Sequence, residues 1–308
     1  MTNHKHQNIK SPLNYIGGKY KLLNQIIPLF PSKINRFVDI FAGGCNVGIN
    51  VNADKVYFND NLVFLIEMYQ AFRKNTLDDT INHLEEQISK YNLSLTNEEG
   101  YKKIRYDYNQ QKVSLDLFVL AAYSFNHQIR FNNKHEFNTP FGRNRSSFNL
   151  SMKQNLEKFI NKLKTIEAEF TSESFEGFKF SSLDNQDFVY FDPPYLITTG
   201  TYNDGKRGFK GWSNKEEKRL FEIMDFLDQK KVKFALSNVI EHKGQSNELL
   251  KNWIKNNKNL RVNHIDSNYS NSNYQIKEKD SYKTTEVLIT NYEVDYKVAN
   301  QPDLFTNN

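Results

Sequence analysis

The run Asp192-Pro193-Pro194-Tyr195 combines a carboxylate, two prolines and an aromatic ring directly after the apolar stretch DFVYF at 187–191. The amino group of a nucleobase is a poor nucleophile, because its lone pair is delocalised into the ring. An enzyme can activate this nitrogen by accepting both of its N–H bonds, here on the carboxylate and on the carbonyl of Pro193. Pro194 keeps that carbonyl rigid, and Tyr195 can stack on the base. The run predicts catalysis on an exocyclic amino group; a strand-end turn capped by an aromatic ring is the structural alternative.

A second pattern, FVDIFAGGCNVG at 37–48, predicts a strand, a glycine turn and then a helix. Gly43 and Gly44 would let the backbone approach a ligand closely, next to the acidic residue Asp39. Asp60 follows the next predicted strand, a position from which a carboxylate can bind both hydroxyls of a ribose. The sequence has neither a G-x-G-x-x-G pattern nor a Walker lysine, so a ribose without a pyrophosphate favours S-adenosylmethionine over NAD or ATP. A glycine turn with a helix-capping aspartate is the alternative without a ligand.

The strongest indication comes from several segments taken together. In chain order they resemble the Dam-like class of bacterial DNA adenine-N6 methyltransferases, and they lie at 12–23, 37–48, 57–61, 125–143 and 187–195. Alone, the glycine pair and the lysine in the first of them would indicate only a tight turn. The resemblance implies an α/β, Rossmann-like, S-adenosylmethionine-dependent methyltransferase with a mostly helical target-recognition insertion.

The resemblance also implies roles for individual residues. It implies that the catalytic residues are Asp192, Pro193, Pro194 and Tyr195. It implies cofactor contacts for Tyr15, Gly18, Lys19, Asp39, Phe41, Gly43, Gly44, Asp60, Phe175 and Asp192. The segment RFNNKHEFNTPFG lies in the DNA-facing lobe of that family, and its candidates for DNA contacts are Arg130, Asn132 and Asn138.

A few positions depart from the family pattern. Cys45 occupies a position that is often glycine, so the loop is expected to lie slightly farther from the methionine moiety. Ser174-Phe175 replaces an Asp-aromatic pair that contacts the cofactor adenine, so that hydrogen bond is weakened or supplied elsewhere. Tyr15 replaces a common tryptophan, and His135 takes another frequent glycine position, which is expected to reshape the hairpin there.

Basic residues outside these motifs are further candidates for DNA contacts. The loop TYNDGKRGFKGW at 201–212 interleaves Lys206 and Arg207 with aromatic rings, which suits a strand whose base has been extruded. A solvated loop whose aromatic residues pack on the core is the alternative. Candidates for phosphate or guanine contacts are Arg130, Arg143 and Arg145.

The elements that must position these residues alternate between strands and helices. Strands are predicted at 36–41, 55–58, 187–191, 232–237, 286–290 and, from a weaker pattern, 260–265. Ser213 and Glu216 predict a capping box at the start of a helix. The alternation predicts a mainly parallel sheet covered on both faces. We therefore predict a catalytic domain at 1–70 and 171–295, a DNA-binding insertion at 71–170 and a tail at 296–308.

The tail carries one more pattern, at Gln301–Phe305. It resembles the short peptide by which bacterial proteins dock on the replication sliding clamp. A polar tail with one apolar pair suits docking, because that pair would otherwise be exposed. A tail that folds back on the core is the alternative.

Composition restricts the class of protein. The 308 residues include one cysteine and carry 41 Lys and Arg against 36 Asp and Glu, a mild basic excess. One cysteine excludes an internal disulfide, and the seven histidines show no ligand spacing, so no metal is expected. No apolar stretch could span a bilayer and no secretion signal is seen, which predicts a cytoplasmic, nucleoid-associated protein with no membrane partner.

The resemblance implies methyl transfer from S-adenosylmethionine to N6 of a flipped adenine in double-stranded DNA. It also implies a modification enzyme of a restriction system, with a cognate restriction endonuclease as partner. Cytosine-N4 methylation uses the same chemistry, although aspartate rather than serine before Pro-Pro-Tyr favours adenine. Methylation of RNA or of a glutamine side chain fits the large central insertion less well. A non-catalytic DNA-binding protein that kept the fold is the alternative from a different class.

Overall fold

A mixed β-sheet organises the fold. The computed structural model describes residues 8–198, 212–266 and 284–294. In these ranges the strands are β1 (Arg36–Asp39), β2 (Lys55–Asn59), β3 (Ala168–Thr171), β4 (Phe188–Phe191), β5 (Lys233–His242), β6 (Gln245–Ser246), β7 (Arg261–Ile265) and β8 (Thr284–Thr290). Each strand predicted from the sequence is therefore present, and β3 and β6 are additional.

The strand order in the sheet is β3-β2-β1-β4-β5-β8-β7, with the short β6 paired to β5. The pairs from β3 through to β5 are all parallel, whereas β8 runs antiparallel to both of its neighbours. This confirms the predicted mainly parallel sheet. The chain builds outward from β1 to β3 on one side and from β4 to β5 on the other, so the order of strands reverses between β1 and β4.

The helices of the described ranges are α1 (Leu23–Ile26), α2 (Val63–Lys74), α3 (Leu77–Lys90), α4 (Glu98–Gln111), α5 (Asp116–Tyr123), α6 (Leu150–Thr165), α7 (Asn214–Gln229) and α8 (Glu248–Asn256). The predicted capping box is confirmed at the start of α7, where the Ser213 and Glu216 side chains bond each other's backbone N–H groups. Thr76, Asn97 and Asn149 cap α3, α4 and α6 in the simpler way, with a side-chain oxygen accepting one backbone N–H.

Both faces of the sheet are buried. Successive strand residues point to opposite sides, and each side packs against its own set of helices. Phe37 and Phe188 pack in the cluster that contains the side chains of α2 to α6. Val38 and Val189, one position later on each strand, pack in a second cluster with α7 and α8. Continuous apolar runs such as FVYF in β4 follow from this burial on both faces.

The residues between α5 and α6 form the least regular described segment. Isolated bridges join Ser124 to Phe141 and Phe131 to Phe137, and the Asn109 side chain bonds both backbone groups of Phe137. Residues 128–149 therefore contain turns and isolated bridges but no helix or strand. The predicted domain boundary at 170 falls inside β3. This short edge strand contains an exposed glutamate, so its sequence has no continuous apolar run by which a strand could be predicted.

One local prediction is wrong. The glycine turn is followed not by an α-helix but by a single 3-10 turn at Gly48–Asn50. Cys45 adopts a left-handed φ of 58°, which stops helical winding at the outset. Asn46 and Asn50 then bond the backbone of Ser11 and Ile9, so these amides tie the turn to the incoming chain instead of facing solvent. Separately, the helices that the structure describes include none of the length and apolarity required to traverse a bilayer.

Candidate active site

The carboxyl ends of β1, β2, β3 and β4 open into one cavity of about 490 Å³. It lies where the strand order reverses, the place at which open parallel sheets bind ligands. The structure brings together at this cavity all of the residues predicted for cofactor binding and catalysis: Tyr15, Gly18, Lys19, Asp39, Phe41, Gly43, Gly44, Asp60, Phe175 and Asp192 to Tyr195, together with Arg130.

The glycine turn after β1 is shaped by Tyr15. Gly43 has a φ of 46°, and a Cβ at that position would lie 2.8 Å from the Tyr15 ring. A Cβ on Gly44 would lie 3.1 Å from the Tyr15 Cβ. The two glycines therefore allow the segment that carries Tyr15 to pack closely against the turn.

Asp60 holds the same turn from the other side. Its two carboxylate oxygens accept the backbone N–H groups of Gly43 and Leu62, each at 2.9 Å. Burial raises the pKa of Asp60, and these two hydrogen bonds oppose the rise. Since each carboxylate oxygen has a further lone pair, Asp60 can still accept from a ligand in the cavity.

Asp39 is the buried acid at the end of β1, and it is only 2% exposed. Its Oδ1 atom has no hydrogen-bond partner among the residues that the structure describes. Burial, followed by the nearby charge of Asp192, raises the pKa of Asp39 well above the usual aspartate range. A buried acceptor of this kind is stabilised by a cationic or N–H donor that binds in the cavity.

The predicted catalytic run forms a charged cluster with two buried partners. Lys19 Nζ lies 2.8 Å from Asp192 Oδ1 and 3.9 Å from Glu286 Oε1, and it donates to the Gly17 carbonyl at 2.9 Å. Tyr195 Oη donates to Asp192 Oδ1 at 3.0 Å and lies 3.3 Å from Glu286 Oε1, while Lys19 Nζ is 5.0 Å from the Tyr195 ring centre. The cluster orients Asp192 through its Oδ1 atom, and the carboxylate has further lone pairs that can accept an N–H donor.

The protonation states in this cluster follow from burial. Burial raises the pKa of Tyr195 well above its usual value, and the Asp192 and Glu286 charges add to the rise, so the phenol stays a donor. Burial also raises the pKa of Glu286; Lys19 opposes that rise and Asp192 adds to it. Two carboxylates thus share one ammonium group.

One wall of the cavity is aromatic. The rings of Phe41, Phe175 and Trp212 contact one another, with centroids between 5.3 and 5.7 Å apart. The Trp212 indole N–H donates to Glu217 Oε2 at 2.6 Å, and Glu217 Oε1 accepts from Asn247 at 3.0 Å and from Asn238 at 3.3 Å. The buried Glu217 carboxylate therefore fixes the orientation of the Trp212 ring at the wall of the cavity.

Sequence reasoning missed several residues that position this site. The Asn59 side chain donates to the carbonyls of Ile40 and Glu173, and so joins the ends of β1 and β3. Tyr69 Oη donates to the Gly43 carbonyl at 2.9 Å. Asn59 directly follows the apolar run VYF of β2, and Glu286 directly precedes the apolar run VLI of β8. A polar residue at the end of such a run is a signal that could have found both.

The residues predicted to contact DNA lie in different places: one lines the cavity, others lie away from it, and others fall outside the described residues. Arg130 lines the cavity and bonds Gln128. The Asn132 amide closes its own hairpin by accepting from the backbone of Lys134 and Glu136, and Asn138 is exposed on the other arm. Arg143 pairs with Glu98 at 2.6 Å, whereas Arg145 stacks on Phe125. Lys206 and Arg207 lie outside the described residues, as does the tail peptide Gln301–Phe305.

The two residues at positions that are often glycine in the family share a backbone feature. Cys45 and His135 both adopt left-handed conformations, with a φ of 58° at each. Glycine reaches this region without the steric cost that a side chain adds, which explains its frequency in the family that the sequence resembles. The Cys45 side chain is fully buried and packs in the core.

Comparison with protein families matches residues 15–295 to the D12 class of N6 adenine-specific DNA methyltransferases. The match covers all of the residues predicted for cofactor binding and catalysis, from Tyr15 to Tyr195. The chain belongs to this family. The membership confirms the predicted resemblance and implies a methyl donor and a DNA substrate as features of the family.

Individual relatives agree with the family. The chain is 55% identical over 285 residues to modification methylase StsI of Streptococcus sanguinis, and 52% identical over 284 residues to type II methyltransferase M.FokI of Planomicrobium okeanokoites. Each match covers 92% of this chain but only 43% of the relative, so this D12-family chain spans less than half of the length of these proteins. It is also 26% identical over 231 residues to the DNA adenine methylase of Escherichia coli K12, covering 73% of this chain and 79% of that one.

Proposed function

We propose that this D12-family chain transfers a methyl group from S-adenosylmethionine to N6 of adenine in double-stranded DNA, as the modification activity of a restriction-modification system. The observation that carries the proposal is the shared cavity, in which Asp192 and Pro193 face the glycine turn and Asp60. Similarity to modification methylases over 92% of the chain supports the restriction-system role and a cognate endonuclease as partner.

The cavity residues fit the proposed cofactor. Asp60 can accept from ribose hydroxyls, and the orphaned oxygen of Asp39 can accept from the ammonium of the methionine moiety. The aromatic wall of Phe41, Phe175 and Trp212 offers flat apolar surface to an adenine ring. When bound, S-adenosylmethionine supplies an electrophilic methyl group on a sulfonium ion.

The protein's own contribution to the reaction is the activation of the amino group. The Asp192 carboxylate and the Pro193 carbonyl accept its two N–H bonds, which draws the nitrogen lone pair out of conjugation with the ring. Lys19 and Tyr195 hold Asp192 in place, and Glu286 balances the Lys19 charge so that the ammonium is not committed to Asp192 alone. After transfer the N6 cation is acidic, and it passes its proton to the Asp192 carboxylate through the hydrogen bond between them.

The remaining predictions extend this proposal. A Rossmann-like catalytic domain at 1–70 and 171–295 would carry a target-recognition insertion at 71–170, whose helices α3 to α6 frame the irregular loop with its arginines. The loop at 201–212 would contact the strand that carries the flipped base. The sliding clamp would bind the tail through Gln301–Phe305, and the protein would act in the cytoplasm at the nucleoid.

Single-molecule sequencing of plasmid DNA from a methylation-free host tests the proposal. We expect N6-methyladenine at one recurring motif with the intact chain, and none with the Asp192→Ala chain. N4-methylcytosine at that motif would establish the alternative chemistry. Unmodified DNA from a chain that binds S-adenosylmethionine would contradict a DNA substrate, and the absence of cofactor binding would leave the non-catalytic alternative.

Glu217→Gln will weaken cofactor binding through Trp212. All three groups that contact the Glu217 carboxylate are donors, so an amide at this position presents its NH₂ to one of them and leaves a donor unpaired. We expect the dissociation constant of S-adenosylmethionine, measured by calorimetry, to rise about tenfold, which corresponds to roughly 1.4 kcal/mol. Glu222→Gln, on an exposed position of the same helix, is the matched control and should leave it unchanged. Equal constants for both variants would show that the indole needs no such anchor.

A further inference from the structure

A second cavity of about 570 Å³ lies directly beside the first. Asn14, Ile16, His127 and Gln128 line both cavities, so a ligand in one is adjacent to a ligand in the other. The remaining lining residues of the second cavity are Asn126, Arg145 and Ser146. Its described lining contains one cation and several neutral polar groups but no carboxylate.

Two residues that line this cavity each carry a buried polar atom without a hydrogen-bond partner in the described part of the chain. Ser146 is 1% exposed, and its hydroxyl makes no hydrogen bond within the described part of the chain. His127 Nδ1 is likewise buried and unbonded there. Polar atoms that are buried without protein partners are rare in folded proteins, and a bound ligand, ion or water commonly satisfies them.

Arg145 is available to an anion in a way that Arg143 is not. The Arg143 guanidinium pairs with Glu98 at 2.6 Å. Arg145 makes no ion pair among the described residues; its guanidinium stacks 4.9 Å from the centre of the Phe125 ring and reaches Asn126 Oδ1 only at 3.5 Å. A stacked guanidinium keeps its N–H fork free for a planar or phosphate oxygen acceptor.

The segment that carries His127 is held in an unusual backbone conformation. Asn126 and His127 have φ values of 55° and 54°, both in the left-handed region. The Asn14 amide donates to the Asn126 carbonyl at 3.3 Å and joins this loop to the glycine pair near the catalytic cluster. Non-glycine residues in this region are concentrated at functional sites, where the surrounding structure maintains the strain.

We propose that this second cavity binds a backbone phosphate of the DNA strand that carries the target base. Guanidinium, hydroxyl and amide donors around a cavity without carboxylates match a phosphate rather than the mixed donor and acceptor edge of a base. The lining residues that the two cavities share, Asn14, Ile16, His127 and Gln128, place that phosphate next to the nucleotide in the catalytic cavity. The inference rests on the proposed function, since it requires DNA as the substrate.

Single neutral linkages in DNA test this site. A duplex that contains the recognition motif found by sequencing is prepared as a series. Each member carries one uncharged methylphosphonate linkage near the target adenine. For the unaltered chain we expect about a tenfold rise in the dissociation constant at one linkage, because a charge-assisted hydrogen bond is lost. Arg145→Gln should bind the natural duplex about tenfold more weakly and show no further loss at that linkage.

Controls separate this inference from its alternatives. Arg143→Gln, two residues away and ion-paired, should keep the full response to the neutral linkage, and Ser146→Ala should reduce it in part without altering an exposed surface. An Arg145→Gln chain that responds to each linkage as the unaltered chain does would overturn the phosphate site. That result would leave the proposed function intact as long as the plasmid is methylated, whereas an unmethylated plasmid would contradict the proposed function itself.

Discussion

Asp192→Ala will abolish methyl transfer while S-adenosylmethionine still binds. In the proposed mechanism the carboxylate accepts one N–H of the reacting amino group, and the loss of one preorganised electrostatic contact of this kind costs about 10²–10³ in rate. Alanine also releases Lys19 and Tyr195, both of which bond Asp192 Oδ1, so the reduction should be at the upper end of that range or beyond it. Cofactor binding is assigned in the proposed function instead to the glycine turn and Asp60, which are joined by a hydrogen bond of their own.

The measurement is single-turnover transfer of a labelled methyl group to duplex DNA, with cofactor affinity determined separately by calorimetry. Asp54→Ala, an exposed aspartate just before β2, is the matched control and should retain full activity. Undiminished transfer by the Asp192 variant would refute the role given to this carboxylate. Equal losses of transfer and cofactor affinity would mean that Asp192 supports the cofactor and not the amino group.

The residues that could be predicted from the sequence are those whose chemistry is local. Asp192 to Tyr195 follow one another in the chain, and Gly43, Gly44 and Asp60 lie directly after their strands, so spacing along the chain already fixes their relation to the sheet edge. The mainly parallel character of the sheet followed from the alternation of apolar runs and helical patterns. These predictions required no knowledge of which distant residues meet.

Glu286 could not be placed from the sequence because its partners are distant in the chain. It starts the apolar part of β8, an antiparallel strand, and meets Lys19 and Tyr195 only once β8 pairs with β5. The helix predicted after the glycine turn failed for a related reason. Asn46 and Asn50 have ordinary helical spacing, but the structure uses both amides to hold the incoming segment near Ile9 and Ser11.

The second large effect is expected in the charged cluster of Lys19, Asp192 and Glu286. Lys19→Met will lower the free energy of unfolding by about 3 kcal/mol, the lower end of the cost of removing one partner of a buried ion pair. Lys19 and Glu286 are both 3% exposed, so the substitution leaves the Glu286 and Asp192 carboxylates facing each other without their cation. The measurement is equilibrium unfolding in urea at neutral pH.

The pH dependence of that loss identifies its cause. Lys19 opposes the rise in the pKa of Glu286, so without it the folded-state pKa of Glu286 lies still farther above the unfolded value. A carboxyl whose pKa is raised by folding stabilises the protein below its unfolded pKa, and that contribution is lost as the pH rises through the folded pKa. Lys19→Met should therefore regain stability relative to the unaltered chain as the pH is lowered from neutral toward the ordinary glutamate range.

A double variant isolates the charge from the packing. Lys19→Met with Glu286→Gln removes the cation and one of the two anions, so it should be more stable than Lys19→Met alone, although each change singly destabilises the fold. Glu293→Gln, an exposed carboxylate paired with Arg261, is the control and should add nothing to Lys19→Met. If the double variant is less stable than Lys19→Met by the full cost of Glu286→Gln alone, the two groups do not interact. Glu286 would then be an ordinary buried carboxyl and not the group that shares the charge of Lys19 with Asp192.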